Sequence, residues 1–146
     1  MSREEDNVQR LREAYGRWAA QKGGDPECWL ELAADDATLR SLADGAPEMR
    51  FTRTRRTKSE VRRYLDELTR DWEMVSHDMN EFIAQGDRVV VVGEVEWRNR
   101  GTRKAAKTRK VDIWLFRDGK AVGFEEFYDT ARMFAAAQPD GDAADP

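Results

Sequence analysis

The chain has 146 residues, of which 37% are charged, and a formal net charge of −4. That length suits one domain with a real core, and the acidic balance offers no global basic field for nucleic acid. Its one cysteine, Cys28, and one histidine, His77, exclude an internal disulfide and an all-His/Cys zinc site, and argue against a Cys–His nucleophilic pair. Carboxylates must carry any acid–base chemistry. The start, MSREEDNVQR, has no apolar signal core and no membrane span follows it, so a cytoplasmic protein is expected.

Val8, Leu11, Tyr15 and Trp18 recur at spacings of three and four, the mark of an amphipathic helix. The glycines of QKGGD end it. In DPECWLELAADD, Asp25 is placed to cap a short second helix and Pro26 to open it, where a missing N–H costs nothing. A connecting stretch runs through GAPEMRFTRTRR. TKSEVRRYLDELTRDW then carries the Thr57-to-Glu60 spacing of a capping box, with Val61, Tyr64, Leu65, Leu68 and Trp72 as the apolar stripe of a third helix. From residue 73 strand signals take over in EMVSHDMNEFIA and DRVVVVGEVEWRN, with turns at Gly86-Asp87 and over 99–108. Residues 138–146, QPDGDAADP, read as a disordered tail behind a single domain of residues 1–137.

The stretch VDIWLFRDGKAVGFEEFYD reads as a hairpin, because Asp118-Gly119 tolerates the positive φ angles of a two-residue turn. Side chains alternate along a strand, so Asp112 shares a face with Trp114 and Phe116, and Glu126 with Phe124 and Tyr128. An acid among aromatics suggests a pocket, and burial there would raise the pKa of Asp112. The run Val90, Val92, Glu94, Glu96 places two more acids on one face, either lining the pocket or on a strand leaving the core. If all four acids met in one cavity they would need a cation. His77 shares a face with Val75 and Met79; a lone histidine is more often a satisfied core residue than a catalyst. Trp18, Trp29, Tyr64 and Trp72 read as core, some of them shaping the cavity, and Cys28 as a small buried hydrophobe.

Helices first and an antiparallel meander last give an α+β domain, with helices over one face of a curved sheet. Val95, Trp97, Ile113, Leu115 and Phe127 are expected on the other face, where so much apolar surface predicts a sheet-to-sheet homodimer. The basic clusters RFTRTRRTKSEVRR and RNRGTRKAAKTRK read as solvated charge, although Arg53, Arg55 or Arg56 could meet an anionic group of a substrate.

LAADDATLR after a short helix, IAQGDRVVVVGEVEWR, and VDIWLFRDGKAVGFEEFYDTARMFAA together resemble the nuclear transport factor 2-like superfamily, in particular its SnoaL-like and ketosteroid-isomerase-like bacterial members. The resemblance runs over roughly residues 8–137. It implies a cone: a curved antiparallel sheet with N-terminal helices packed over its concave face, and a pocket between them. In ketosteroid isomerases the general-base Asp lies five residues after the second Asp of an ADDAT-type motif; here that position is Ser41, so the usual base is absent. Their second pocket acid matches Asp112, and Tyr15 is the nearest candidate for their oxyanion-binding tyrosine. Limonene epoxide hydrolases use an Arg, an Asp two residues later and a further Asp on the last strand. Those positions become Glu94, Glu96 and Glu126, which disfavours epoxide opening.

The resulting expectation is a cofactor-free, metal-free pocket protein for a hydrophobic small molecule, with no nucleic-acid or membrane partner. Its chemistry would be isomerisation, cyclisation or dehydration next to a carbonyl, catalysed by Asp112 and Glu126. Tyr15, Trp29, Tyr64, His77, Glu94, Glu96, Trp114 and Tyr128 would line the pocket. A non-catalytic binding or dimeric interaction module is the alternative, favoured by the missing Asp at position 41.

Overall fold

The computed structural model describes residues 2–140, so residues 141–146 of the expected tail lie outside the described residues. Helix α1 (Arg3–Ala20) begins where the Ser2 side chain accepts the Glu5 N–H, filling one of the orphan donors of a helix start. Lys22 and Gly23, with φ of 51° and 80°, end it in the left-handed region. The short α2 (Glu27–Leu30) follows, but Asp25 does not cap it, because its carboxylate accepts from Arg17 at 3.0 Å. α3 (Lys58–Asp71) has the expected cap, Thr57 accepting the Glu60 N–H at 3.2 Å. A further helix, α4 (Thr130–Ala137), is capped by Asp129 and adds an element that the sequence reading lacks. No helix among the described residues is long and apolar enough to cross a membrane.

The strands are β1 (Ala33–Ser41), β2 (Trp72–Gln85), β3 (Arg88–Asn99), β4 (Ala105–Arg117) and β5 (Lys120–Tyr128), in the sheet order β1-β5-β4-β3-β2. β2 to β5 form the expected antiparallel meander, with Asp118 and Gly119 at φ 52° and 79° in the last hairpin. β1 is absent from the sequence reading, which names no strand before residue 73: it lies parallel to β5. Its inward residues Ala33, Ala37, Leu39 and Ser41 are mostly small, so the strand signal is weak although the alternation is present. The expected 99–108 turn is also shorter, since β4 already starts at Ala105.

Two bulges in β2 bend the sheet around its core. At one of them Gly93 faces Met79, and a Cβ there would stand 2.1 Å from the Asp78 carbonyl oxygen. Only glycine permits that approach. Val89, Val91, Val95 and Trp97 point into the concave side and are buried, with α1 packed against this strand through Trp18 on Trp97. Val95 and Trp97 therefore leave the expected outer patch. Ile113, Leu115 and Phe127 stay on the convex face, half-buried, in rows with Val90, Val92 and Val111.

Candidate active site

The β4–β5 register builds the site. On the concave face, Lys110 stands opposite Tyr128, Asp112 opposite Glu126, and Trp114 opposite Phe124, while Ser41 of β1 flanks Glu126 from the other side. Period-two alternation puts all of these on one surface. The helices add tyrosines from above: Tyr15 of α1 donates to Asp112 Oδ2 at 2.5 Å, and Tyr64 of α3 donates to Glu126 Oε2. The Lys110 ammonium sits between the acids, 2.6 Å from Asp112 Oδ1 and 3.1 Å from Glu126 Oε1. Trp114 Nε1–H donates to the Tyr15 oxygen at 2.9 Å, and the Ser41 and Tyr128 hydroxyls are bonded at 2.6 Å.

Asp112 is 1% exposed and Glu126 6%. Burial raises the Asp112 pKa above the usual aspartate value, against the pull of Lys110. Burial acts on Lys110 in the opposite sense, but the two carboxylates outweigh it and hold the ammonium charged. Burial, reinforced by the acid each tyrosine faces, raises the pKa values of Tyr15 and Tyr64 far above that of a free phenol. Carbon-13 NMR of the carboxyl groups should therefore find Asp112 titrating above a free aspartate; a midpoint near pH 4 would contradict its burial beside the pair.

A cavity of about 110 Å³ opens between this surface and the helices. Tyr15, Trp29, Tyr64, His77, Trp114 and Tyr128 all line it with Asp112 and Glu126. Glu94 and Glu96 do not. They alternate with the inward Val95 and Trp97, so they lie on the convex face, where Glu94 is exposed and pairs with Lys107 at 3.6 Å. The four acids therefore do not meet in one cavity, and the two that do have a cation from within the chain, Lys110, which the sequence reading missed. Its signal was present: Lys110 precedes Asp112 by two residues and so shares its face once β4 is allowed to start before Val111.

Arg55 is fully buried and is not free for a substrate. Its guanidinium donates to the Phe51 carbonyl and the Glu67 carboxylate, and Arg53 lies 3.8 Å from Glu60 and 3.9 Å from Glu67. Cys28 is buried, with its thiol pKa pushed up to about 12 by burial, in keeping with an inert core residue.

Burial, helped by Lys110, lowers the His77 pKa from the usual 6.5 to about 3. The folded protein thus refuses a proton that the unfolded chain accepts, so this stability is complete above pH 6.5 and is lost as pH falls towards 3. The loss should be on the order of 5 kcal/mol across that window. Asp112, with a raised pKa, works in the opposite sense in acid, so the comparison with His77→Phe isolates the imidazole. Urea unfolding at stepped pH should show a flatter acid limb in the variant; parallel limbs would refute the assignment.

With this geometry in view, the comparisons with known proteins are specific. Residues 10–124 match the family model described as a SnoaL-like domain. The chain belongs to this family. A nuclear transport factor 2-like protein of unknown function from Burkholderia pseudomallei K96243 is 26% identical to this SnoaL-like domain, with a TM-score of 0.78 over 94% of this chain and 99% of its own. TerC, co-crystallised with polyporic acid, is 24% identical with a TM-score of 0.75, covering 90% of this chain and 98% of its own. A protein of ketosteroid isomerase-like fold from Catenulispora acidiphila, in complex with trimethylamine, is 17% identical with a TM-score of 0.71, covering 89% and 95%. The last two speak for the fold alone. The curated proteins contain no match.

Proposed function

We propose that this SnoaL-like domain is a cofactor-free enzyme of proton-transfer type, an isomerase, cyclase or dehydratase acting next to a carbonyl of a hydrophobic small molecule. One observation carries the reading: two carboxylates and an ammonium are buried together in the wall of an aromatic cavity. Taking three charges out of water costs several kcal/mol per ion, and apolar residues of similar volume would often stabilise the fold as well or better. A chain that keeps such a triad at a cavity has a chemical use for it. TerC was co-crystallised with polyporic acid and the Catenulispora protein is in complex with trimethylamine, so proteins of similar fold take small molecules.

Glu126 is the base. It stands beside Ser41 in the ladder, so the carboxylate missing from β1 is supplied one strand over. Lys110 polarises the substrate oxygen: of its three N–H groups two serve Asp112 and Glu126, leaving one for a developing oxyanion. Asp112, itself held by Tyr15, fixes the ammonium. In an isomerisation the carbon-bound proton passes to Glu126 and returns at a second carbon, and in a dehydration it leaves with the β-hydroxyl as water, so charge and atoms balance without a further reactant. The test is exchange of α-protons for deuterium, followed by NMR over a panel of ketones and enones, with Glu126→Gln as control. Exchange no faster in the parent than in Glu126→Gln across the panel would favour the second reading, a non-catalytic binder. That reading draws on both carboxylates already being hydrogen-bonded to a tyrosine and to Lys110.

The convex face supports a homodimer. Exposed Ile83 continues the row of Val90 and Ile113, and Val92, Val111 and Phe127 lie beside it, an apolar patch on a sheet face that no helix among the described residues covers. Analytical ultracentrifugation at micromolar concentration should give twice the monomer mass, and Ile113→Glu should shift it to monomer. A monomeric parent would refute the dimer.

A further inference from the structure

The proton-transfer scheme leaves one polar group of the cavity unused. His77, on β2, lines the cavity with its ring beside Tyr15, centroids 6.1 Å apart, and edge-on to Trp97 at 6.4 Å. Its Nδ1 is buried without any hydrogen-bond partner among the described residues. Native interiors seldom leave such an atom unpaired, because it has surrendered water and gained nothing in return. The ring is neutral at ordinary pH and so carries one N–H and one lone pair. Packing between Tyr15 and Trp97 fixes its direction before any ligand arrives.

A core role explains the ring but not the idle nitrogen, and a charged ligand group would find no counter-charge at a neutral imidazole. A hydroxyl both donates and accepts through one atom, so it satisfies this ring in either tautomer. We infer that His77 is a specificity-determining contact that binds a hydroxyl group of an apolar ligand whose reacting end lies at Lys110 and Glu126. This rests on the pocket reading above and narrows its substrate class to hydroxylated molecules with a second polar end.

Because the chain has one histidine, selective nitrogen-15 labelling gives a single imidazole to follow. Phenol and toluene are nearly the same shape and differ in the hydroxyl. Phenol should move the His77 ring-nitrogen resonances of the parent protein, and toluene should not. By tryptophan fluorescence, the ratio of phenol to toluene affinity should fall about 3- to 10-fold in His77→Phe, the value of one neutral hydrogen bond. His77→Gln, which keeps a donor and an acceptor, should retain part of that ratio. An unmoved imidazole resonance, an undiminished ratio in His77→Phe, or no binding of either compound at millimolar concentration would overturn the assignment. If His77→Phe fails to fold, the resonances of the parent decide. Neither readout requires turnover, so a protein that passes here yet shows no α-proton exchange would keep this contact and lose the proton-transfer reading.

Discussion

Glu126→Gln should lower turnover by about 100-fold or more on any ketone that the domain processes, since it removes the proton acceptor and leaves the shape of the side chain. Tyr64 can still bond to the amide, so the fold should survive and the loss should fall on kcat more than on KM. Asp112→Asn should be milder, because the amide oxygen can still accept from Lys110 while the amide NH2 donates to the Tyr15 oxygen in place of the bond that Tyr15 gave to the carboxylate. The measurement is steady-state kinetics beside urea unfolding of each variant. Equal activity in Glu126→Gln and the parent would end the assignment of Glu126 as base.

Lys110→Met should be the most destabilising single change at the site. It leaves Asp112 and Glu126 facing one another in the cavity wall with their shared cation gone, and breaking a buried pair in this way costs about 3–5 kcal/mol. One of the acids should then take up a proton, so the deficit should shrink as pH is lowered from 7 towards 5. Chemical unfolding at both values checks this. A deficit below about 1 kcal/mol that does not change with pH would mean that the ammonium is not the counter-ion of the pair.

The parts of this site that were legible in the sequence share a cause. Asp118-Gly119 announces a hairpin by its φ requirement, and the alternation around it sets Asp112 beside Trp114 on one strand and Glu126 beside Tyr128 on the next, two rows that the β4–β5 register brings together on the concave face. What was illegible depended on partners far along the chain. In β3 the run Val89 to Val92 puts valine on both faces, so composition could not tell which face turns inward, and Glu94 and Glu96 went to the wrong one. β1 has small inward residues and pairs with a strand that no local turn connects to it. Lys110 was lost to a strand boundary, because Lys and Arg dominate the start of β4 and read as loop.

The neighbouring of β1 and β5 also bears on how the molecule comes into being. A chain leaving the ribosome holds residues 33–41 without their ladder partner until residues 120–128 have been made. The tyrosine–acid contacts wait equally long, since Tyr15 meets Asp112 across 97 positions and Tyr64 meets Glu126 across 62. Pairings so distant must overcome loop-closure entropy before they return any energy, which places such topologies towards the slower, millisecond-to-second end of folding times. The charged cluster can therefore close only in the last stage of folding, and recovery of the Tyr15–Asp112 contact after dilution from urea should keep pace with global refolding.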